Sequence, residues 1–369
     1  MTAASRNSRT SGGRAPGLRA IRTPGGLSVR VEPRALVAIV LLMAVALAMG
    51  VVLIGSGDFQ MSPGDVVRTL LGNGTASQEF IVTDLRLPRV VVGLLVGVAL
   101  GMSGAVFQSV SRNPLGSPDV IGFGQGATAG ALLVIVLSKG NSLAVAGGAL
   151  AGCLLTGAAV YLLAWKRGVH GYRLVLVGIG AAAMLTALNH YLVTKASIVD
   201  ATRATVWMTG SLDGRGWDQA WPLLGVCAVA VPLVLGHGRA LRMMEMGDDA
   251  AYALGVSVER GRMVLMLCAV LLIAVATAAA GPIAFVALSA PQLARRLTFP
   301  RCLKGAGGAP MPGPNLGASA CMGAALLVIA DWIAQQAFGG QLPVGVVTGV
   351  LGGCYLLWLL VTERKAGRI

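Results

Sequence analysis

Apolar residues run along almost the whole chain, and polar residues gather in the gaps between them. The apolar runs are about 17–25 residues long, the length a helix needs to cross a bilayer. They recur at roughly 35–54, 90–110, 121–137, 143–165, 174–193, 220–235, 263–280, 283–297, 317–338 and 344–361. The pattern predicts ten membrane-spanning helices. The third, sixth and eighth runs are short. The eighth contains Pro291 and ends in Arg295-Arg296, which predicts a partial or tilted helix. Residues 1–34 are rich in Arg, Ser, Gly and Pro without an apolar period, and read as a disordered basic tail. The predicted organisation is therefore this tail, a transmembrane domain over 35–361 and a short tail over 362–369. A cleaved signal peptide is a poor alternative, because the tail is too long and the run after it lacks a small-residue cleavage site.

Composition excludes a single soluble core. Hydrophobic residues make up 55% of the chain and charged residues 12%, too few polar side chains to cover such a core. A net charge of +14 would point to nucleic acid in a soluble protein. The positions of the charges point instead to topology. With the N-terminus inside and the sides alternating, 22 of the 29 Lys and Arg fall inside and seven outside: Arg68, Arg86, Arg89, Lys139, Lys195, Arg203 and Arg215. This is the positive-inside distribution, with anionic lipid as the secondary contact.

Little in the chain suggests catalysis. No phosphate-binding loop is present. The six cysteines form no Cys-x-x-Cys pair and read as apolar packing residues. The three histidines lack metal-ligand spacing, and His190 reads as buried and hydrogen-bonded. Asp331 is the clearest intramembrane acid and must face protein or water, either lining a pathway or bonding to a neighbouring helix.

The stretch from Leu85 to Gly130 holds two glycine-ridged apolar segments around a polar hinge, Ser111 to Pro118. Gly93, Gly97 and Gly101 recur every four residues, as do Gly122, Gly126 and Gly130. Each set forms a helix face without side chains, which another helix can approach closely or slide along. Arg86 and Arg89 stand where the first segment begins.

Several motifs in fixed order make the chain resemble the FecCD-type permeases of ABC importers, with the ferric enterobactin branch most similar. They are Leu-Arg-Leu-Pro-Arg at 85–89, Phe107-Gln108, Arg112-Asn113-Pro114-Leu115, Gly210-Ser211-Leu212, Gly247-Asp248 through Leu254-Gly255, Gly281-Pro282-Ile283 through Leu288, and Leu342-Pro343-Val344-Gly345. The resemblance implies an all-α integral membrane protein of about ten transmembrane helices, with the type II ABC importer permease fold, in the bacterial cytoplasmic membrane with both termini cytoplasmic. It implies no catalytic site and no cofactor in this chain, with ATP used by two separate ATPase subunits. The other implied partners are a second permease subunit, identical or paralogous, and an extracytoplasmic siderophore-binding protein. The implied cargo is a ferric siderophore, or alternatively cobalamin or haem.

Residue roles follow at matching positions. Arg86 and Arg89 resemble the arginines that dock the binding protein. Gly247 to Gly255 resembles the segment that couples to the ATPase, a short helix between two glycine breaks with Ala250, Ala251 and Leu254 on an apolar face beside Asp248. Asn113 and Pro114 are candidates for an inner gate, although a plain helix stop accounts for them equally well. The chain departs from the family pattern at Ala287, Gln292, Gln335 and Cys354. These occupy positions where a glycine, a histidine, a third docking arginine and a kinking Gly-x-Pro are common. An ion-coupled secondary transporter would need paired intramembrane charges, and a membrane enzyme would need clustered polar groups at one depth. Asp331 alone is thin support for either.

Overall fold

Every apolar run becomes a helix in the computed structural model, which describes residues 19–22, 28–31, 33–57, 59–138, 140–165, 171–298, 315–337 and 342–365. Lys139, His170, Cys302, the Gly/Pro-rich loop at 299–314 and the chain ends lie outside the described residues. In order the helices are α1 (Pro33–Gly55), α2 (Pro63–Leu70), α3 (Ala76–Glu79), α4 (Leu87–Ser111), α5 (Phe123–Leu133), α6 (Ser142–Ala164), α7 (Gly171–Lys195) and α8 (Ile198–Met208). They continue with α9 (Trp217–Gly236), α10 (Gly238–Glu245), α11 (Asp248–Ala253), α12 (Val258–Ala280), α13 (Val286–Thr298), α14 (Leu316–Gln336) and α15 (Val344–Lys365).

Among the described residues, seven helical segments are long and apolar enough to cross a membrane: α1, the run Ala76–Ser111, α6, α7, α9, α12 and α14. Two shorter apolar helices, Phe123–Ser138 and Val344–Leu359, stand at the expected third and tenth spans. The eighth run, 283–297, expected as a partial or tilted helix, is a half-span. Helix α13 begins only at Val286 and has 13 residues, about 20 Å at the helical rise against a hydrocarbon core of about 30 Å. Residues 281–285 are not helical, and Phe285 takes a left-handed φ of 68°. The last helix runs unbroken through Cys354 to Lys365, past the expected boundary at 361.

In the N-terminal segment, where the sequence predicts no regular structure, Arg19–Arg22 pairs antiparallel with Ser28–Val31, Arg19 opposite Val31. Ile21, Val29 and Val31 are β-branched and favour extended backbone.

Glycine and alanine set how closely the helices approach. Helix α4 lies against α14: a methyl group at Gly101 would collide with the carbonyl oxygen of Ser319, and one at Gly97 would meet Ala324 Cα at 2.6 Å. Gly126 and Gly130 press in the same way on Gly148, Gly152 and Thr156 of α6. Backbones approach this closely only where side chains are absent. Helices α4, α12 and α14 form the buried centre, while α7 is largely exposed along its length. Three of the cysteines, Cys153, Cys227 and Cys268, pack buried as free thiols. His190 is exposed, correcting the expectation of a buried ring; its neighbour Asn189 is the buried residue and donates to Gln125 Oε1 at 3.1 Å.

Candidate functional site

Among the described residues, the ion pairs that join separate helices and loops gather at the two ends of α4. At its N-terminal end the chain is π-helical from Phe80 to Arg86. The wider turn frees the carbonyl of Thr83, which accepts from the Trp217 indole N–H at 3.1 Å. Such turns are frequent at functional sites. Arg86 then donates to the Ile54 carbonyl at the end of α1, 2.6 Å away. Arg89 turns toward α14, where Nε and Nη2 donate to the two oxygens of Asp331 at 3.0 and 2.8 Å. Asp331 is 1% exposed and Arg89 21%, so each charge is compensated by the other where water is scarce. Gln335, one turn beyond, closes the cluster: with its amide oxygen facing the guanidinium it accepts from Arg89 Nε and Nη2 at 3.2 Å each. Asp331 therefore sits in a bond between helices α4 and α14. The position of the absent third arginine holds a neutral side chain on the same pair.

A third group reaches Arg89 from the loop after α8. Asp213 accepts from Nη1 at 3.1 Å while its side chain is 83% exposed. Three motif glycines from separate parts of the chain build this loop. Gly210, at a φ of 68°, lets its Cα come within 3.1 Å of a methyl placed on Gly281. Ser211 N–H donates to the Ala280 carbonyl at 2.8 Å, and Gly345 N–H to the Gly210 carbonyl at 3.1 Å. Leu212 is buried as the anchor, and Asp213 follows at the surface. Around it opens a cleft of about 260 Å³, lined among others by Ser56, Gly57, Arg86, Arg89, Asp213 and Arg215.

At the other end, α4 stops on Arg112, whose φ is 51°. Asn113 N–H returns to the Gln108 carbonyl at 3.1 Å, and Pro114 prevents continuation. The Asn113 side chain accepts from Leu115 N–H at 2.9 Å, an Asx turn. The left-handed stop turns the Arg112 guanidinium onto the next helical pair. Its Nε and Nη2 donate to the Met244 carbonyl at 3.0 and 2.8 Å, and Nη2 also pairs with Asp248. Arg262, 5% exposed in the first turns of α12, donates to both oxygens of Asp248 at 2.8 Å. Burial alone would raise the Asp248 carboxyl, but Arg262 and Arg112 outweigh it and hold it below its ordinary value. One carboxylate thus ties together α4, the α10–α11 pair and α12.

Helix α11 lies between Gly247, at φ 120°, and Gly255, at φ 79°, conformations that favour glycine. Ala251 is fully buried, Ala250 is half-buried and Leu254 is 59% exposed. Ala251 thus packs inward while Leu254 reaches the surface. The exposed apolar side chains are Met246, Tyr252 and Leu254.

Gln292 lies nearby in a buried network that its sequence position did not reveal. Its Nε2 donates to Gln108 Oε1 and to the Pro114 carbonyl, both at 2.9 Å. Its oxygen accepts from Arg295 at 2.7 Å, and Gln108 donates to the Leu288 carbonyl at 3.0 Å. The hinge after α4 is thereby bound to α13. Ala287 is fully buried, and its backbone lies against Gly104 of α4, where a side chain would collide with the Ala287 carbonyl.

Sequence reasoning missed Arg262, Asp213 and the Gln108–Gln292 pair. Arg262 and Gln108 carried a usable signal, a polar residue on the edge of an apolar run. Asp213 in a glycine turn carried none.

The helical bundle, the half-span and the polar clusters at either end define a multi-pass membrane permease. Residues 38–362 match the FecCD transport family, and the chain belongs to that family. It is 45% identical over 341 residues to the ferric enterobactin transport system permease protein FepG of Escherichia coli (strain K12), across 91% of this chain and 99% of that protein. It is 37% identical over 314 residues to the iron(3+)-hydroxamate import system permease protein FhuG of Bacillus subtilis (strain 168), across 83% of this chain and 90% of that protein. Its fold matches a solved metal-chelate type ABC transporter in an inward-facing conformation, with a TM-score of 0.75 at 24% identity over 90% of this chain and 100% of that one.

Proposed function

We propose that this chain is the membrane-spanning permease of a binding-protein-dependent importer for ferric siderophores, working by alternating access. ATP is bound and hydrolysed by two separate ATPase subunits, and a second permease subunit completes the pathway. Both termini and the α10–α11 pair face the cytoplasm, as the charge distribution favours, and the Arg86–Arg89 end faces outward. An extracytoplasmic binding protein docks there, on Arg86 and on the part of Arg89 that Asp331 leaves accessible. Met246, just before Gly247, and Tyr252 and Leu254, between Gly247 and Gly255, meet the ATPase.

The observation that carries this reading is the connection through α4. Arg86 and Arg112 stand about 40 Å apart along one helix, and Arg112 grips both Met244 and Asp248. A push on α10–α11 is transmitted to α4 through Arg112 and to α12 through Arg262, because the three share one carboxylate. Packed helices that shift together in this way switch a pathway between two openings. Asn113 and Pro114, bound to α13 through Gln292, shape the inner mouth and move with it.

The test is uptake of ⁵⁵Fe-labelled siderophore into proteoliposomes holding this chain with its ATPase and binding protein. Uptake is expected only with ATP. Uptake that persists without nucleotide and follows an ion gradient overturns the importer reading. Transport of cobalamin or haem in place of iron would retain the mechanism and change the cargo.

A further inference from the structure

We infer that Asp213 occupies the docking arginine as an internal stand-in, and that an acidic side chain of the binding protein displaces it on engagement. This rests on the reading of Arg86 and Arg89 as a dock.

Arg89 holds two carboxylates of opposite character. Asp331 is 1% exposed and bonded through both oxygens, so parting it from Arg89 would leave a buried carboxylate without its cation. Asp213 is 83% exposed and takes one hydrogen bond from Nη1. Exposed pairs of that kind contribute little and yield to competitors. The loop is built to release it. Leu212 remains buried as the anchor, while Gly214 beyond Asp213 takes a φ of 65° with open space around it. Swinging Asp213 aside therefore disturbs no packing.

What replaces it is set by charge and shape. Among its described lining residues the cleft presents the guanidinium groups of Arg86, Arg89 and Arg215 and the carboxylate of Asp213, so one negative charge fewer faces them when Asp213 swings aside. The cleft holds about 260 Å³, ample for a Glu or Asp side chain. Asp213 itself demonstrates that a carboxylate fits Nη1 at 3.1 Å. The exchange trades one carboxylate for another, so it costs little and is selective for an acidic face. Before docking, the stand-in keeps Arg89 from binding other anions.

The test measures affinity of the cognate substrate-free binding protein for the permease–ATPase complex in nanodiscs. Asp213→Asn keeps the shape of the loop and removes the competitor. Binding is expected to tighten about two- to fivefold at low salt, with the gain shrinking at high salt. Unchanged or weaker binding of Asp213→Asn overturns the exchange. Arg86→Glu tests the dock separately. If that reversal weakens binding while Asp213→Asn brings no gain, the exchange alone is wrong. If neither variant changes affinity, the docking reading falls with it.

Discussion

Arg262 holds both carboxylate oxygens of Asp248 at 2.8 Å from a side chain that is 5% exposed. Asp248 also has Arg112 and Arg262 also has Glu259 at 3.3 Å, so Asp248 sits between two guanidinium groups and supplies the shorter contacts to the buried one. Asp248→Asn is therefore expected to loosen the α10–α11 pair by about 2 kcal/mol, the cost of leaving a buried charge underpaired. Faster amide hydrogen exchange across 238–253, with exchange in α14 unchanged, is the measurement that checks it.

The same carboxylate has a defined pH behaviour. Its folded value lies below its unfolded one of about 3.9. The stabilisation is therefore fully present above that pH and is lost as pH falls through the folded value. Exchange protection of α10–α11 should stay flat from about pH 8 to 5 and fail only below about 3.9. Loss of protection near pH 6 would contradict the assignment.

Leu254 and Ala251 should respond oppositely to a charge. Leu254→Glu places it on a side chain already 59% exposed, so the chain inserts and folds normally while ATPase association weakens at least about tenfold. Ala251→Glu buries the charge and is expected to abolish folded protein. Pull-down of the ATPase, read against the yield of monodisperse permease, separates the two.

Gly104 tolerates no side chain. Gly104→Val drives a branched group into the Ala287 backbone, a clash expected to cost more than about 3 kcal/mol. Gly124 has open space where a side chain would go, and Gly124→Ala should leave thermal stability in detergent within about 1 kcal/mol of the parent.

Arg89 and Asp331 should couple strongly. Asp331→Leu or Arg89→Met alone leaves a buried charge and should each cost about 3 kcal/mol, while the double variant recovers much of that loss. Thermal unfolding of all four proteins gives the coupling energy. Additive losses would show that the pair contributes little.

The helices and their order were legible in the apolar runs, because bilayer thickness leaves few alternatives to a helix of fixed length. The half-span at 286–298 was half-legible. Pro291 signalled it, but the late start depends on the glycine junction of Gly210, Gly281 and Gly345, three residues far apart in the chain. The polar partners were the hardest part. Asp331 was visible as an acid in an apolar run, yet its bond to Arg89 spans 242 positions, and no periodicity links residues so distant. The burial of Ala251 was hard to read for a related reason: a six-residue helix gives too few turns for its inward face to show in the spacing.

The π-helical turn ahead of α4 carries a residue count of its own. One residue fewer between Phe80 and Arg86 would let the stretch rewind as ordinary α-helix, turning everything before it by about 100° relative to α4. Helix α3 and the start of that stretch would then face another direction, and Thr83 would withdraw its carbonyl from Trp217. The orientation of one rim of the bundle is thus stored as a single surplus residue. A one-residue deletion there would disturb the rim more than many substitutions of its side chains.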